Sequence, residues 1–407
     1  MIIKMNELIG SIADSLDLVE GELVGVSTNH GRRIAALCVL MGKKLKMPED
    51  ELKTLAVCAL LHDNALTEYI LYLNGEQAFE NLRLHCEYGQ SNIEMIPFDT
   101  DVRDIILYHH EQADGKGPFS KKEGEFPLAA ELIAIADRLD MEYHFERVSL
   151  ERLRRLYSKI EGRSGKCFTK RATQALLDVL GEETLVSLRN ENIIETVEKL
   201  MPKWLVNIES EAMMNLARFA TKIIDYKSPY TRKHTHQIAN RSWIMGEYYG
   251  YDTLMKSKIF LAASLHDIGK LATPNKILDK PGELTENEFE TIKEHVRGTY
   301  DLLKSITNFE EICKWASSHH EKLDGTGYCF GKSADELDFI DRLLACTDIY
   351  QAVSEKRPYH EQRNHDETME IMRSMADRGF IDKGIVKDFD MVMAPYSLKD
   401  VPDPKWQ

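Results

Sequence analysis

The chain has 407 residues, 43% of them hydrophobic, and a formal net charge of −15 at pH 7. That length allows two or three domains, each large enough to bury its own core. The acidic balance argues against a non-specific binder of nucleic-acid polymers or acidic membranes, which needs a basic surface, but leaves room for a small anion in a local basic pocket.

From the N-terminus, MIIKMNELIGSIADSL carries Lys4, Glu7 and Asp14 and lacks the apolar core of a signal peptide. Leu52, Leu55, Ala56, Ala59 and Leu60, and then Val102, Ile105 and Ile106, follow helical spacing. Proline and glycine punctuate at Met47-Pro48, 114–118, 280–282 and 324–327. The charged segment 181–204 has a helical pattern and reads as a connector of fixed geometry rather than a flexible linker. No apolar run is long enough to span a membrane. The seven cysteines are odd in number and lack CxxC spacing, so they read as reduced core thiols of a cytoplasmic protein. The pattern predicts an all-α chain of two helical bundles.

One set of residues is written twice. The first copy is His30, His62-Asp63, His85, His109-His110 and Asp137; the second is His234, His266-Asp267, His295, His319-His320 and Asp348. AVCALLHD at 56–63 matches FLAASLHD at 260–267, and LAAELIAIAD at 128–137 matches DFIDRLLACTD at 338–348 with one insertion. The chain is therefore a duplication. Domain boundaries are expected at 1–195 and 205–407.

Imidazole and carboxylate are the usual ligands of borderline divalent metals such as Fe, Mn, Ni and Zn. Each His-Asp pair ends an apolar helix, so its polar tip must be satisfied inside the protein. Five separate segments per half each deliver a ligand or a pair, as in metal sites built at the centre of a bundle. One buried histidine is usually an ordinary core residue; seven ligand-type residues recurring in register are not. Two metals a few ångströms apart acidify a water between them and clamp a phosphate for in-line attack, which suits phosphoester hydrolysis.

Over about 230–359 the second half resembles the HD-GYP branch of the HD metal-dependent phosphohydrolases. The resemblance rests on SPYTRKH (228–234), HDIGK (266–270), KILDKPGELTENEFETIKEH (276–295), HHEKLDGTGY (319–328) and TDIYQAVSEKRPY (347–359). It implies tandem HD-type bundles and hydrolysis of a cyclic dinucleotide, cyclic di-GMP or 3′,3′-cyclic GMP-AMP. It implies metal ligands His234, His266, Asp267, His295, His319, His320 and Asp348. Asp267 and Lys270 become the catalytic residues, and Lys270, on the same helix face as His266, and Arg357 hold the substrate phosphate. Tyr230 stands where some members carry a third-metal glutamate, so two ions are expected, Fe or Mn before Ni, Zn or Mg. Cys329 replaces the proline of the GYP signature, and His360 stands where the family often has Arg or Lys. A homodimer is compatible with the resemblance.

The first half keeps all seven ligand types (His30, His62, Asp63, His85, His109, His110, Asp137) as a second candidate metal site, but Leu66 replaces the lysine and Glu146 falls where Arg357 falls. It resembles a degenerate HD domain: a structural pseudo-domain, a regulatory sensor, or a hydrolase of another substrate. Two rivals stand beside the phosphodiesterase reading. One is a non-catalytic module that binds a cyclic dinucleotide or metal; the other is an HD hydrolase of another nucleotide.

Overall fold

A computed structural model describes residues 1–23, 25–66, 78–225, 227–228, 233–280, 282–356 and 361–404. The chain is all-α, with one ribbon of two short strands among the described residues, Ile2–Lys4 and Leu205–Asn207. It divides into two compact units, one of Lys4–Leu205 and the other of Val206–Gln407 with Met1–Ile3. Among the described residues no helix is long and apolar enough to cross a membrane.

In the C-terminal unit the central helix is Thr253–Leu265. Asp252 starts it by accepting the Met255 N–H, and Ile259 through Leu265 are all buried. The helices Ser210–Asp225 and His234–Tyr248 pack on it, and Phe339–Ser354 packs on the latter. Capping boxes begin two ligand-bearing helices, Thr285 with Glu288 and Asp338 with Asp341. Val401 is buried and trades hydrogen bonds with Gln237 and Asn240, fastening the chain end to the His234 helix.

The N-terminal unit repeats the plan with helices Met5–Leu23, His30–Lys44, Glu49–Leu60, Ala78–Ile93 and Leu128–Tyr143. Segment 181–204 is two short helices, Glu182–Ser187 and Ile193–Leu200. They bury Leu185, Leu188, Ile193 and Val197 within their own unit, so the stretch belongs to the first bundle rather than standing between two.

One expected helix is missing. Residues 103–110 form successive turns, where the C-terminal unit has the helix Glu310–Ala316. The Gln90 side chain explains the difference: its Oε1 accepts the N–H groups of Ile106 and Leu107, at 3.1 Å each, in place of helical carbonyls. Five cysteines are buried as expected, but Cys167 is half-buried and Cys329 exposed.

Candidate metal centres

The C-terminal centre draws on five segments: the start of the His234–Tyr248 helix, the end of the central helix, the turn after Glu310–Ala316, and the interiors of Glu286–Leu303 and Phe339–Ser354. His266 and Asp267 follow the last residue of the central helix, and a 3-10 turn, Ile268–Ala272, follows them. Lys270 therefore lies on that turn, not on the α-helix that ends at Leu265. Gly269 makes the change of direction possible. A Cβ there would lie 2.0 Å from the His295 carbonyl oxygen and 2.7 Å from the Thr299 amide nitrogen. The Thr299 hydroxyl laces the contact, accepting the Gly269 N–H at 3.1 Å and donating to the His266 carbonyl at 2.8 Å.

Ring orientation follows one rule. His266, His295 and His319 each turn Nδ1 to the backbone carbonyl three residues earlier, at 2.6, 2.6 and 2.7 Å. That bond fixes the tautomer and leaves Nε2 as the free ligand atom. His234 is held instead by the Glu355 carboxylate at 3.0 Å from Nδ1. The Nε2 atoms then gather round two carboxylates. Asp348 is 3.3 Å from His234, and Asp267 is 3.2 Å from His266 and 3.3 Å from His295. Ligand atoms of His234, His266 and Asp348 lie within 4.8 Å of one another, as do those of His295, His319 and His320, and of His266, Asp267 and His319. Asp267 thus stands between two possible subsites.

These residues fit a cation. The Nε2 of His266 and Oδ1 of Asp267 are buried with no hydrogen-bond partner, an arrangement that costs free energy unless something positive binds there. Burial, reinforced by the Lys270 ammonium, pushes His295 down to about 3 and His320 down to about 4, so both are neutral and able to ligate. Lys270 Nζ sits 2.5 Å from Asp267 Oδ2, at the mouth of the centre. Tyr328 stacks beside His320 with ring centroids 4.8 Å apart. Arg357, Tyr230 and His360 lie outside the described residues.

The N-terminal unit assembles its seven residues the same way. Asp63, His85, His109 and His110 form one group, and His30, His62 and Asp137 the other. His62 and His109 again turn Nδ1 to carbonyls three residues back, and their Nε2 atoms are buried with no hydrogen-bond partner. His30 Nδ1 is held by Asp140 at 2.7 Å, and Asp140 is itself bound by the buried Arg33. Glu146 is buried beside Arg33 and Arg147, at 3.8 and 3.4 Å.

The two centres differ in charge. Leu66 gives the N-terminal one no ammonium, and Glu20 adds a buried carboxylate facing Asp63, Asp17 and His62. Burial opposes protonation of His62, but Asp63, Asp137 and Glu20 overcome it and push the imidazole up to about 9. The sequence alone did not single out Glu20, Asp140, Glu355 or the paired glutamates Glu111 and Glu321. Of these only the last pair left a signal, since each follows its His-His pair. Glu321 accepts the Phe330 and Lys332 N–H groups at 2.8 and 3.0 Å, and Glu111 does the same for Phe119 and Lys121 at 2.5 and 2.8 Å, so both units keep the loop after the histidines.

Glu20 yields a stability prediction. Burial and the neighbouring Asp63 and Asp17 raise its carboxyl from 4.5 to about 8. The fold favours the protonated form, so its contribution is whole below about pH 4.5 and is lost as pH rises through about 8. Metal-free Glu20→Gln protein is expected to be more stable than the parent at pH 8 by on the order of 2 kcal/mol, with the difference nearly gone at about pH 5. Urea titrations at the two pH values check this; an equal shift at both would mean packing, not charge.

Comparison with known proteins follows the same division. The HD domain family model matches residues 18–147 and again 218–385. A 3′3′-cGAMP-specific phosphodiesterase of Vibrio cholerae is 27% identical over 404 residues, covering 96% of this chain and 91% of its own. A cyclic di-GMP phosphodiesterase response regulator of Xanthomonas campestris is 32% identical over 174 residues, covering 42% of this chain and 45% of its own. A crystal structure of a Vibrio cholerae cyclic GMP-AMP specific phosphodiesterase superposes with a TM-score of 0.66 at 23% identity, covering 97% of this chain and 98% of the other. At that identity the likeness speaks to the fold.

Proposed function

The chain belongs to the HD domain family, which it carries twice, and on that premise we propose that its C-terminal copy is a metal-dependent phosphodiesterase that opens a cyclic dinucleotide to a linear one. The observation that carries this reading is the shared carboxylate of Asp267: its Oδ1 and the neighbouring Nε2 of His266 are buried with no hydrogen-bond partner, while its Oδ2 takes the Lys270 ammonium. 3′,3′-Cyclic GMP-AMP is the preferred substrate in this reading and cyclic di-GMP the second. The relative that aligns over nearly the whole chain is named for the first, and the cyclic di-GMP relative aligns over less than half.

His234, His266, Asp267, His295, His319, His320 and Asp348 hold two divalent ions in this reading, iron or manganese. When bound, such ions acidify water and polarise a phosphoryl oxygen. Lys270 binds a non-bridging oxygen of the attacked phosphate and offsets the charge that grows there. Arg357 holds the same phosphate. Glu355 and the backbone carbonyls of Ala263, Ile292 and Ala316 keep the imidazoles aimed. Seven cysteines with no disulfide among the described residues suit a cytoplasmic setting. The N-terminal copy, in domain terms 1–195 against a catalytic 205–407, binds metal without turning over the cyclic substrate, because Leu66 supplies no charge for the phosphate.

The test is cleavage of both cyclic dinucleotides by iron- or manganese-loaded protein prepared under reducing conditions, followed by chromatography with metal per chain measured alongside. Lys270→Ala is expected to lower kcat by on the order of 10²-fold with metal content unchanged. Binding of uncleaved substrate by the fully loaded parent would favour the non-catalytic module instead.

A further inference from the structure

The N-terminal centre has an open edge. His110 is its most exposed ligand, its side chain 20% accessible. His110 and Asp137 open onto a groove of about 600 Å³, inside the range of roughly 300–1,000 Å³ usual for small-ligand sites. Leu82, Arg138, Met141, Glu142, Arg163 and Cys167 form its other walls. Arg163 is fixed by a two-pronged ion pair with Glu142, at 2.5 and 2.8 Å, which also neutralises that carboxylate. Arg138 is exposed and makes no hydrogen bond or ion pair among the described residues. An adjoining groove of about 330 Å³ shares Glu142 and adds Arg152, Arg155 and Lys159.

This basic wall is local. From Arg138 to Arg171 the sequence holds ten Lys and Arg against five Asp and Glu, in a chain whose net charge is −15. It is also peculiar to this half. Ile349 follows Asp348 where Arg138 follows Asp137, while Leu66 stands where the C-terminal unit has Lys270. Glu146 is absent from the groove walls, so its charge does not oppose an anion there. The N-terminal unit has therefore lost the cation that faces a phosphate in the C-terminal centre and gained others on a different wall.

We propose that this groove binds the phosphomonoester end of a nucleotide, with the phosphate between the metal edge at His110 and Asp137 and the guanidinium of Arg138, and the nucleoside along the groove. A terminal phosphate carries close to two negative charges at neutral pH and three strong acceptor oxygens, against one charge on a diester, and so suits a metal edge with an arginine facing it. The inference rests on the reading that the N-terminal cluster holds metal; it does not depend on turnover in the C-terminal unit.

The test uses the full-length chain carrying Asp267→Ala, which disables the C-terminal centre, loaded with manganese. Metal analysis is expected to show bound manganese that Asp63→Ala removes. Calorimetric titration with a nucleoside 5′-monophosphate, GMP, is expected to give one site, lost with Asp63→Ala and weakened at least tenfold by Arg138→Ala. Inorganic phosphate is expected to bind the same site at least tenfold more weakly; equal affinity would overturn the nucleotide assignment. Absence of manganese at this centre, absence of GMP binding to the loaded protein, or an Arg138→Ala affinity within twofold of the parent would each overturn the proposal. Cleavage of the cyclic dinucleotides by protein with both centres intact is measured separately, so failure here is distinguishable from failure of the phosphodiesterase reading.

Discussion

Asp267→Ala is expected to abolish cleavage of the cyclic dinucleotide, by on the order of 10³-fold or more. The Oδ2 of Asp267 lies 3.2 Å from His266 and takes the Lys270 ammonium at 2.5 Å, and its Oδ1 lies 3.3 Å from His295, so the carboxylate meets one histidine from each ligand group. Removing it strips a shared ligand and releases the lysine together, so the loss exceeds that of Lys270→Ala. Asp63→Ala, the matching change in the other half, is expected to leave cleavage within about threefold of the parent. Rates by chromatography and metal per chain, measured on both variants, check the pair. If Asp63→Ala proved the inactive one, the division of labour between the halves would be reversed.

Gly269→Ala is expected to destabilise the C-terminal unit by about 3–5 kcal/mol and to remove most activity with it. The added methyl meets the His295 carbonyl oxygen and the Thr299 amide, which are backbone and do not rotate away. Relief means pushing the turn off the Glu286–Leu303 helix, and that separates Asp267 from His295. Urea unfolding, with metal content as a second readout, tests it. A variant of parental stability that still binds its full metal complement would show that the turn has room the geometry denies.

The sequence carried the metal centres well because their logic is local and repeated. Each His-Asp pair ends a helix whose apolar period is legible, and the recurrence of seven residues marks them as a set. The supports of that set were not legible. His30 is aimed by Asp140 and His234 by Glu355, three and seven residues after the respective final Asp, so matching the copies does not reveal either. Glu20 reaches its centre from another helix, and nothing in its own neighbourhood marks it. The helix expected around Val102 to Ile106 failed for a related reason. Its apolar spacing is helical, yet Gln90 on another helix takes the N–H groups that the helix would have used. Lys270 lies on a 3-10 turn rather than on the helix face that its four-residue spacing from His266 implies, because the helix ends at Leu265. Arg357, Tyr230 and His360 lie outside the described residues.

The lacing between the His-Asp turn and the next ligand helix takes opposite forms in the two units. In the C-terminal unit the glycine is on the turn, Gly269, and the helix supplies the lacing hydroxyl of Thr299. In the N-terminal unit the turn carries Ala65, the helix carries Gly89 with its would-be Cβ 2.9 Å from Ile106, and Asn64 on the turn donates to the Gly89 carbonyl at 3.2 Å. Each copy has exchanged both partners of the contact. Ala65→Gly alone would set two glycines face to face across a gap, and Gly89→Thr alone would drive a branched side chain into Ile106. Neither half-step is neutral, so the route back to a lysine-bearing turn passes through a poorly packed intermediate. Restoring lysine at Leu66 would therefore add the charge without restoring the turn that presents it.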